Sequence, residues 1–195
     1  MPFSQNEIIP KINSPLCQGD IFKNVKYNYI NDDGIEDLEI VELEFPLAII
    51  ISQACDVSYM DEIIKNNGGN STKYMPSILM CPIYQYDLSK TGKHLSEISA
   101  KTEMHIEEDN TFTNKDKAIA EKDWHYRLHF LNVKDAHIAE NSAIDFKHYF
   151  TVPASYLYKN KNNRIYRLDP LRAEKITLKF SSFLSRVGLP DNNQQ

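Results

Sequence analysis

Cysteine is scarce in this chain: Cys17, Cys55 and Cys81 are the only three in 195 residues, and no two of them stand in C-x-x-C spacing. An odd number without paired spacing excludes a disulfide framework and a zinc knuckle, and a reducing cytoplasm is the expected location. Nowhere do about eighteen apolar residues run uninterrupted, so no membrane-spanning helix is predicted. The start, residues 1–7, lacks a basic segment followed by an apolar one, and the expectation is a soluble, unexported protein with no membrane partner. A Gly-rich phosphate loop, a G-x-S-x-G elbow and an H-E-x-x-H helix are all missing, as is any internal repeat. Basic residues are in deficit, 22 Lys and Arg against 27 Asp and Glu, for a net charge of −5. That balance excludes a strong non-specific nucleic-acid binder, which needs clustered cations against phosphate, but leaves room for a local basic groove.

What is present begins with 42% hydrophobic residues, enough for one sizeable core. The whole of 1–195 reads as one elaborated domain. Its most informative stretch is Phe45-Pro46-Leu47-Ala48-Ile49-Ile50-Ile51-Ser52-Gln53-Ala54-Cys55-Asp56. Continuous aliphatic residues with β-branching predict a strand buried on both faces. The polar elbow that follows offers a hydroxyl, an amide, a thiol and a carboxylate, so Ser52, Gln53, Cys55 and Asp56 are candidate binding residues at the rim of a concavity. A buried strand followed by an ordinary Asx-type turn fits the same residues.

Three blocks in order, Gln18-Gly19-Asp20-Ile21-Phe22, then residues 45–52, then Ile78-Leu79-Met80-Cys81-Pro82-Ile83-Tyr84, resemble the opening of the MazF/PemK toxin family. The resemblance covers roughly residues 16–86. It implies a small β-barrel of the Src-homology-3 type, built from a Gly-Asp strand start, an Arg-Pro-hydrophobic-Ser strand and a third strand ending in Val-Pro-Ile/Leu-Thr. It also implies metal-independent RNA cleavage, with the arginine stabilising the scissile phosphate and the threonine assisting proton transfer. Here Phe45 stands for that arginine and Tyr84 for that threonine, so the fold can be shared while the activity is not. Tyr84 is retained as a candidate binding residue.

The predicted organisation is mainly β with α additions, an α+β fold. The barrel core spans 16–86 and 122–168, a polar helical insertion spans 87–121, and a C-terminal helix spans 169–187. The insertion, charged and weakly periodic, reads as a solvated excursion. Ser58-x-x-Asp61 predicts the cap of a short helix ending before Gly68. Residues 122–131 alternate, with Trp124, Tyr126, Leu128 and Phe130 on one face of a predicted strand and His125, Arg127 and His129 on the other. Residues 159–163 read as a hairpin tip. At the end, Asp169 is a predicted N-cap, Pro170 suits the first helical position, and Leu171, Ile176, Phe180, Phe183, Leu184 and Val187 recur at helical spacing.

His125, Arg127 and His129 are the candidate catalytic residues. Cleaving RNA through its own 2′-hydroxyl needs a base, an acid and a cation for the charge on phosphorus, and two histidines with an arginine meet that need. On a strand the two histidines stand about 13 Å apart, so the strand must curve or other groups must join; a half-exposed polar face of an edge strand fits the same residues. Cys55 beside Asp56 lacks the nearby base that a thiolate nucleophile requires. His125 and His129 would share a metal only on a helix, and no metal or other cofactor is expected. Tyrosines among lysines offer stacking surfaces for single-stranded bases, or simply fill a barrel.

The leading expectation is a MazF/PemK-like module that binds single-stranded RNA or a protein partner such as an antitoxin, in a toxin–antitoxin or phage-defence setting, with a homodimer as one arrangement. An active metal-independent endoribonuclease is the alternative, and a catalytically inert structural adaptor is the third.

Overall fold

The computed structural model describes residues 13–31, 39–89, 91–102, 125–131, 138 and 141–186. The strands are β1 (Asp20–Asn31), β2 (Glu39–Ile50), β3 (Ser77–Gln85), β4 (Leu128–Leu131), β5 (Ser142–Asp145), β6 (Phe150–Pro153) and β7 (Arg164–Arg167). The helices are α1 (Ala54–Asn66), α2 (Tyr86–Ser89), α3 (Ser96–Lys101), α4 (Ala154–Lys159) and α5 (Pro170–Leu184).

β1 and β2 form a long antiparallel hairpin, from Ile21 opposite Ile49 to Asn31 opposite Glu39. The ladder steps over one residue on each side, because Lys23 faces Leu47 and Val25 faces Phe45. The skipped residues are Pro46, which has no N–H to donate, and Asn24, which takes a left-handed φ of 53° that its short polar side chain tolerates. β3 lies along the end of β2 and changes its other partner midway. Ser77 to Met80 pair with β6, whereas Ile83 to Gln85 pair with β5. A 3-10 turn, Phe146–His148, carries the chain from β5 to β6. The strand order is β4-β5-β3-β2-β1-β7, with β6 also on β3, and every pairing is antiparallel. The architecture is α+β, as expected, and among the described residues the pairings form an open path rather than a closed barrel.

The period of two along these strands sorts the core into two layers. Ile21, Ile49, Cys81 and Ile83 pack with Ala173, Ile176 and Phe180 of α5. Phe22, Ala48, Ile50 and Met80 pack on the other side with Val57 and Met60 of α1 and Leu157 of α4. The aliphatic run of β2 is therefore buried on both faces, as its composition predicts. Helix α5 starts where the sequence places it: Asp169 accepts the N–H of Arg172 at 3.1 Å, and Pro170 opens the first turn. Its apolar stripe is narrower than expected, since Leu171 is 77% and Leu184 is 51% exposed while Ala173, Ile176 and Phe180 are buried. Val187 lies outside the described residues. At Gly19, φ is +82° and an added Cβ would fall 2.8 Å from the Ala173 Cβ, so the start of β1 accepts only glycine against α5.

Four local expectations are corrected. Helix α1 begins at Ala54, directly after the elbow, and Ser58 sits inside it with its hydroxyl donating to the Ala54 carbonyl at 2.6 Å. Asp61 caps nothing; it is buried against Lys161 at 2.6 Å and also pairs with Lys65. The strand expected over 122–131 is reduced to Leu128–Leu131, where Leu128, His129 and Leu131 are all buried and no polar face remains; residues 122–124 lie outside the described residues. The hairpin tip expected at 159–163 is the end of α4 followed by a 3-10 turn, Lys161–Asn163, because Leu157 is drawn into the core. The described part of the 87–121 insertion is folded onto the sheet, with Ile98 of α3 packed against the core. Among the described residues no helix is long and apolar enough to cross a membrane.

Candidate functional site

Asp145, the last residue of β5, is the pivot. Its Oδ1 accepts the N–H of Lys147 at 3.0 Å, capping the 3-10 turn and folding His148 back beneath the strand. Arg127 reaches the same carboxylate in a fork, Nε to Oδ1 at 2.8 Å and Nη2 to Oδ2 at 2.5 Å. Two features aim that guanidinium: β4 pairs with β5 so that Leu128 faces Asp145, and His125 Nδ1 accepts the N–H groups of Arg127 and Leu128 in the preceding turn. His148 Nδ1 lies 3.0 Å from Oδ2. His94, from the 3-10 turn Lys93–Leu95 of the insertion, brings Nε2 to 3.6 Å from the same oxygen. The Tyr84 ring of β3 packs edge-on against His94, with ring centroids 4.4 Å apart, and more loosely against His148.

Burial orders these groups. Asp145 is fully buried and the His94 side chain is 2% exposed, whereas Arg127 and His148 are 25% and 22% exposed. Among the described residues neither ring nitrogen of His94 has a hydrogen-bond partner within ordinary geometry, and the buried Tyr84 hydroxyl has none either. Burial opposes ionisation of Asp145, yet Arg127, His148 and His94 outweigh it and hold its carboxyl well below the usual carboxylate range. Burial likewise opposes the Arg127 charge, and Asp145 more than restores it. Burial and then the Asp145 carboxylate push the Tyr84 phenol up, against a weaker pull from Arg127, so Tyr84 stays a neutral donor. The same two influences raise Cys81 well above an ordinary thiol, which makes this buried sulfur inert as a nucleophile.

His94 and Tyr84 also form part of the wall of a cavity of about 510 Å³. Its remaining lining is mostly apolar, including Phe45, Pro46, Leu47 and Ile98, with Lys23 and Glu44 among its few charges. This size and polarity suit a small organic group. No protein-family model, curated protein or solved structure matches this chain. The site is therefore read from its own chemistry.

Of the residues singled out in the sequence, the structure brings Arg127 and Tyr84 to this place and leaves the others elsewhere. His125 shapes the turn before β4, and His129 is buried beside Phe146. The three do not form one polar face. Ser52 accepts the N–H of Leu79 at 2.9 Å, a structural role at the strand end. Gln53, Cys55 and Asp56 are exposed around the start of α1, with the Cys55 thiol 3.7 Å from Asp56 Oδ1, and are not among the residues that line the cavity beside β3. The sequence reading passed over His94, which sits in a polar stretch without periodicity, and the pair Asp145 and His148. A carboxylate and a histidine three apart at the end of an apolar strand was the legible sign of the second.

The carboxylate sets a pH dependence. A depressed folded pKa means that the Asp145 ion pair stabilises the fold fully above the unfolded carboxyl value of about 3.9 and is lost as pH falls below it. Asp145→Asn is expected to lower the melting temperature near neutrality, with a gap to the wild type that holds steady down to about pH 4.5 and narrows in stronger acid. Thermal melts across that range measure it, and a gap that widens on acidification would contradict the assigned ion pair.

Proposed function

We propose that this chain is a MazF/PemK-like module of the cytoplasm that binds single-stranded RNA, holding one unstacked base in the cavity beside β3. The observation that supports this reading most is the lining itself. Phe45, Pro46 and Tyr84, the positions that the family resemblance equates with its phosphate-binding arginine, strand proline and proton-carrying threonine, all face one cavity. The two substitutions change its chemistry in one direction, from a charged and hydroxylic surface to an aromatic one. Aromatic walls hold bases by stacking with little sequence demand. Lys23 and Gln85 supply polar groups at the same wall, and a net charge of −5 matches weak, site-limited contact with phosphate.

Fluorescence polarisation with labelled single-stranded RNA tests the proposal. Binding should show a shallow salt dependence, because few phosphates are neutralised. Tyr84→Leu should weaken it by roughly 5- to 150-fold, the equivalent of about 1–3 kcal/mol per stacked base. Undiminished affinity in a folded Tyr84→Leu variant would remove the base from this cavity and overturn the reading, and no binding to any RNA near physiological salt would overturn it in favour of a protein partner or an inert adaptor. Cleavage of the bound strand would instead make the chain an endoribonuclease, with Arg127 the first residue to test.

A further inference from the structure

The lone pairs around Asp145 do not add up for a purely hydrogen-bonded cluster. A carboxylate offers about four acceptor positions. Both on Oδ1 are used, by Arg127 Nε and the Lys147 N–H, and Arg127 Nη2 takes one on Oδ2. A single position is left, and two imidazole nitrogens converge on it, His148 Nδ1 at 3.0 Å and His94 Nε2 at 3.6 Å. Neither makes an aligned hydrogen bond to it, and among the described residues neither nitrogen of His94, a side chain 2% exposed, has a hydrogen-bond partner. A buried imidazole with no partner is costly unless something else occupies its lone pair.

We infer that His94, Asp145 and His148 form a site for a divalent transition-metal ion, with Zn²⁺ or Fe²⁺ the chemistry that two imidazoles and one carboxylate select. One cation satisfies all three at once, accepting the remaining Oδ2 lone pair and one nitrogen lone pair from each ring. The three ligand atoms lie within 4.8 Å of one another. The edges from Asp145 Oδ2 to the two rings, 3.0 and 3.6 Å, bracket the roughly 3.3 Å separation of ligands held about 2.0–2.1 Å from a tetrahedral ion. The second shell is also in place: the Arg127 fork and the Lys147 N–H fix the carboxylate, as outer groups do in built metal sites. Three protein ligands leave an open coordination position, the pattern of catalytic rather than structural sites. The Tyr84 ring packs on both histidines and walls this cluster on the β3 side. This assignment does not depend on RNA binding.

The test is titration of the EDTA-stripped, dialysed full chain with Zn²⁺ by calorimetry and with Co²⁺ by visible absorption. One ion per chain, a raised melting temperature and Co²⁺ ligand-field bands are expected. His94→Ala and His148→Ala keep the Asp145–Arg127 pair and therefore the fold, and each should weaken Zn²⁺ binding by at least about 100-fold, since loss of a mere outer-shell partner costs 10- to 100-fold. Cys55→Ser, on the exposed start of α1, should leave binding unchanged. Absence of stoichiometric binding by the wild type, unchanged affinity in a folded His94→Ala variant, or loss of binding in Cys55→Ser would each overturn the site.

Discussion

Replacing Asp20 with alanine is expected to cost about 3–5 kcal/mol, a large fraction of a typical stability of about 5–15 kcal/mol. Asp20 is fully buried at the start of β1 and serves two arginines of β7. Arg167 forks onto it, Nε to Oδ1 at 2.5 Å and Nη2 to Oδ2 at 2.9 Å, and Arg164 Nη1 adds a contact at 3.1 Å. The Cys17 N–H donates to the same carboxylate at 2.9 Å. Removing it takes this carboxylate from Arg167 and from Arg164, whose side chain is 1% exposed. The cost comes from leaving buried cationic charge without this carboxylate rather than from the net worth of the pair. The arginines also fasten the lead-in segment, Arg164 through Ser14 Oγ at 2.8 Å and both through the Pro15 carbonyl. Urea melts should show a lower midpoint, and the melting temperature should fall by about 6–20 °C for a chain of this length. A loss below 1 kcal/mol would mean that the carboxylate is not the anchor of this corner.

The second large effect is expected from ending the chain before Asp169. That truncation uncovers Ile21, Ile49, Cys81 and Ile83, the layer that Ala173, Ile176 and Phe180 now cover. Each large apolar side chain exposed forfeits on the order of 1.5–3 kcal/mol, so three or four of them consume the whole margin of folding. Lys179, which donates to the Leu128 carbonyl at 3.0 Å, is lost as well, and with it a tie to the strand that aims Arg127. The truncated chain should show no cooperative thermal transition and should expose apolar surface to a hydrophobic dye. A truncate that melts like the full chain would show that α5 is an appendage rather than half of the core.

The sequence carried the parts of this fold that are written locally. Residues 47–51 are aliphatic without interruption, and only a strand covered on both faces tolerates that. Asp169-Pro170 is a start signal whose physics is complete within four residues. What failed to show was whatever depended on a distant partner. Residues 122–131 alternate, but His129 is buried beside Phe146 and the turn before β4 claims His125, so the polar face never forms. Ser58 and Asp61 have the spacing of a cap, yet Lys161, a hundred residues on, takes the carboxylate. The candidate site gathers Tyr84, His94, Arg127, Asp145 and His148 from four separate segments, and no window of sequence contains more than two of them. Of the resemblance-based blocks, the Gly-Asp start now has a physical account, with Gly19 admitting α5 and Asp20 holding β7.

The pairing of β1 with β7 places Asp20 and Arg167 in one ion pair although 147 residues separate them. Neither layer beneath the long hairpin can be finished from the first half of the chain: one waits for α5, the other for Leu157 and Phe150. Closing loops of that length is entropically costly before any contact rewards it, so acquisition of the native state should be slow for a domain of this size and limited by the arrival of the last helix. During synthesis the aliphatic face of β2 emerges more than a hundred residues ahead of its cover. A nascent chain in that condition is a client for chaperones, and low yield on rapid expression should be relieved by slowing translation or lowering temperature rather than by altering the surface of the finished protein.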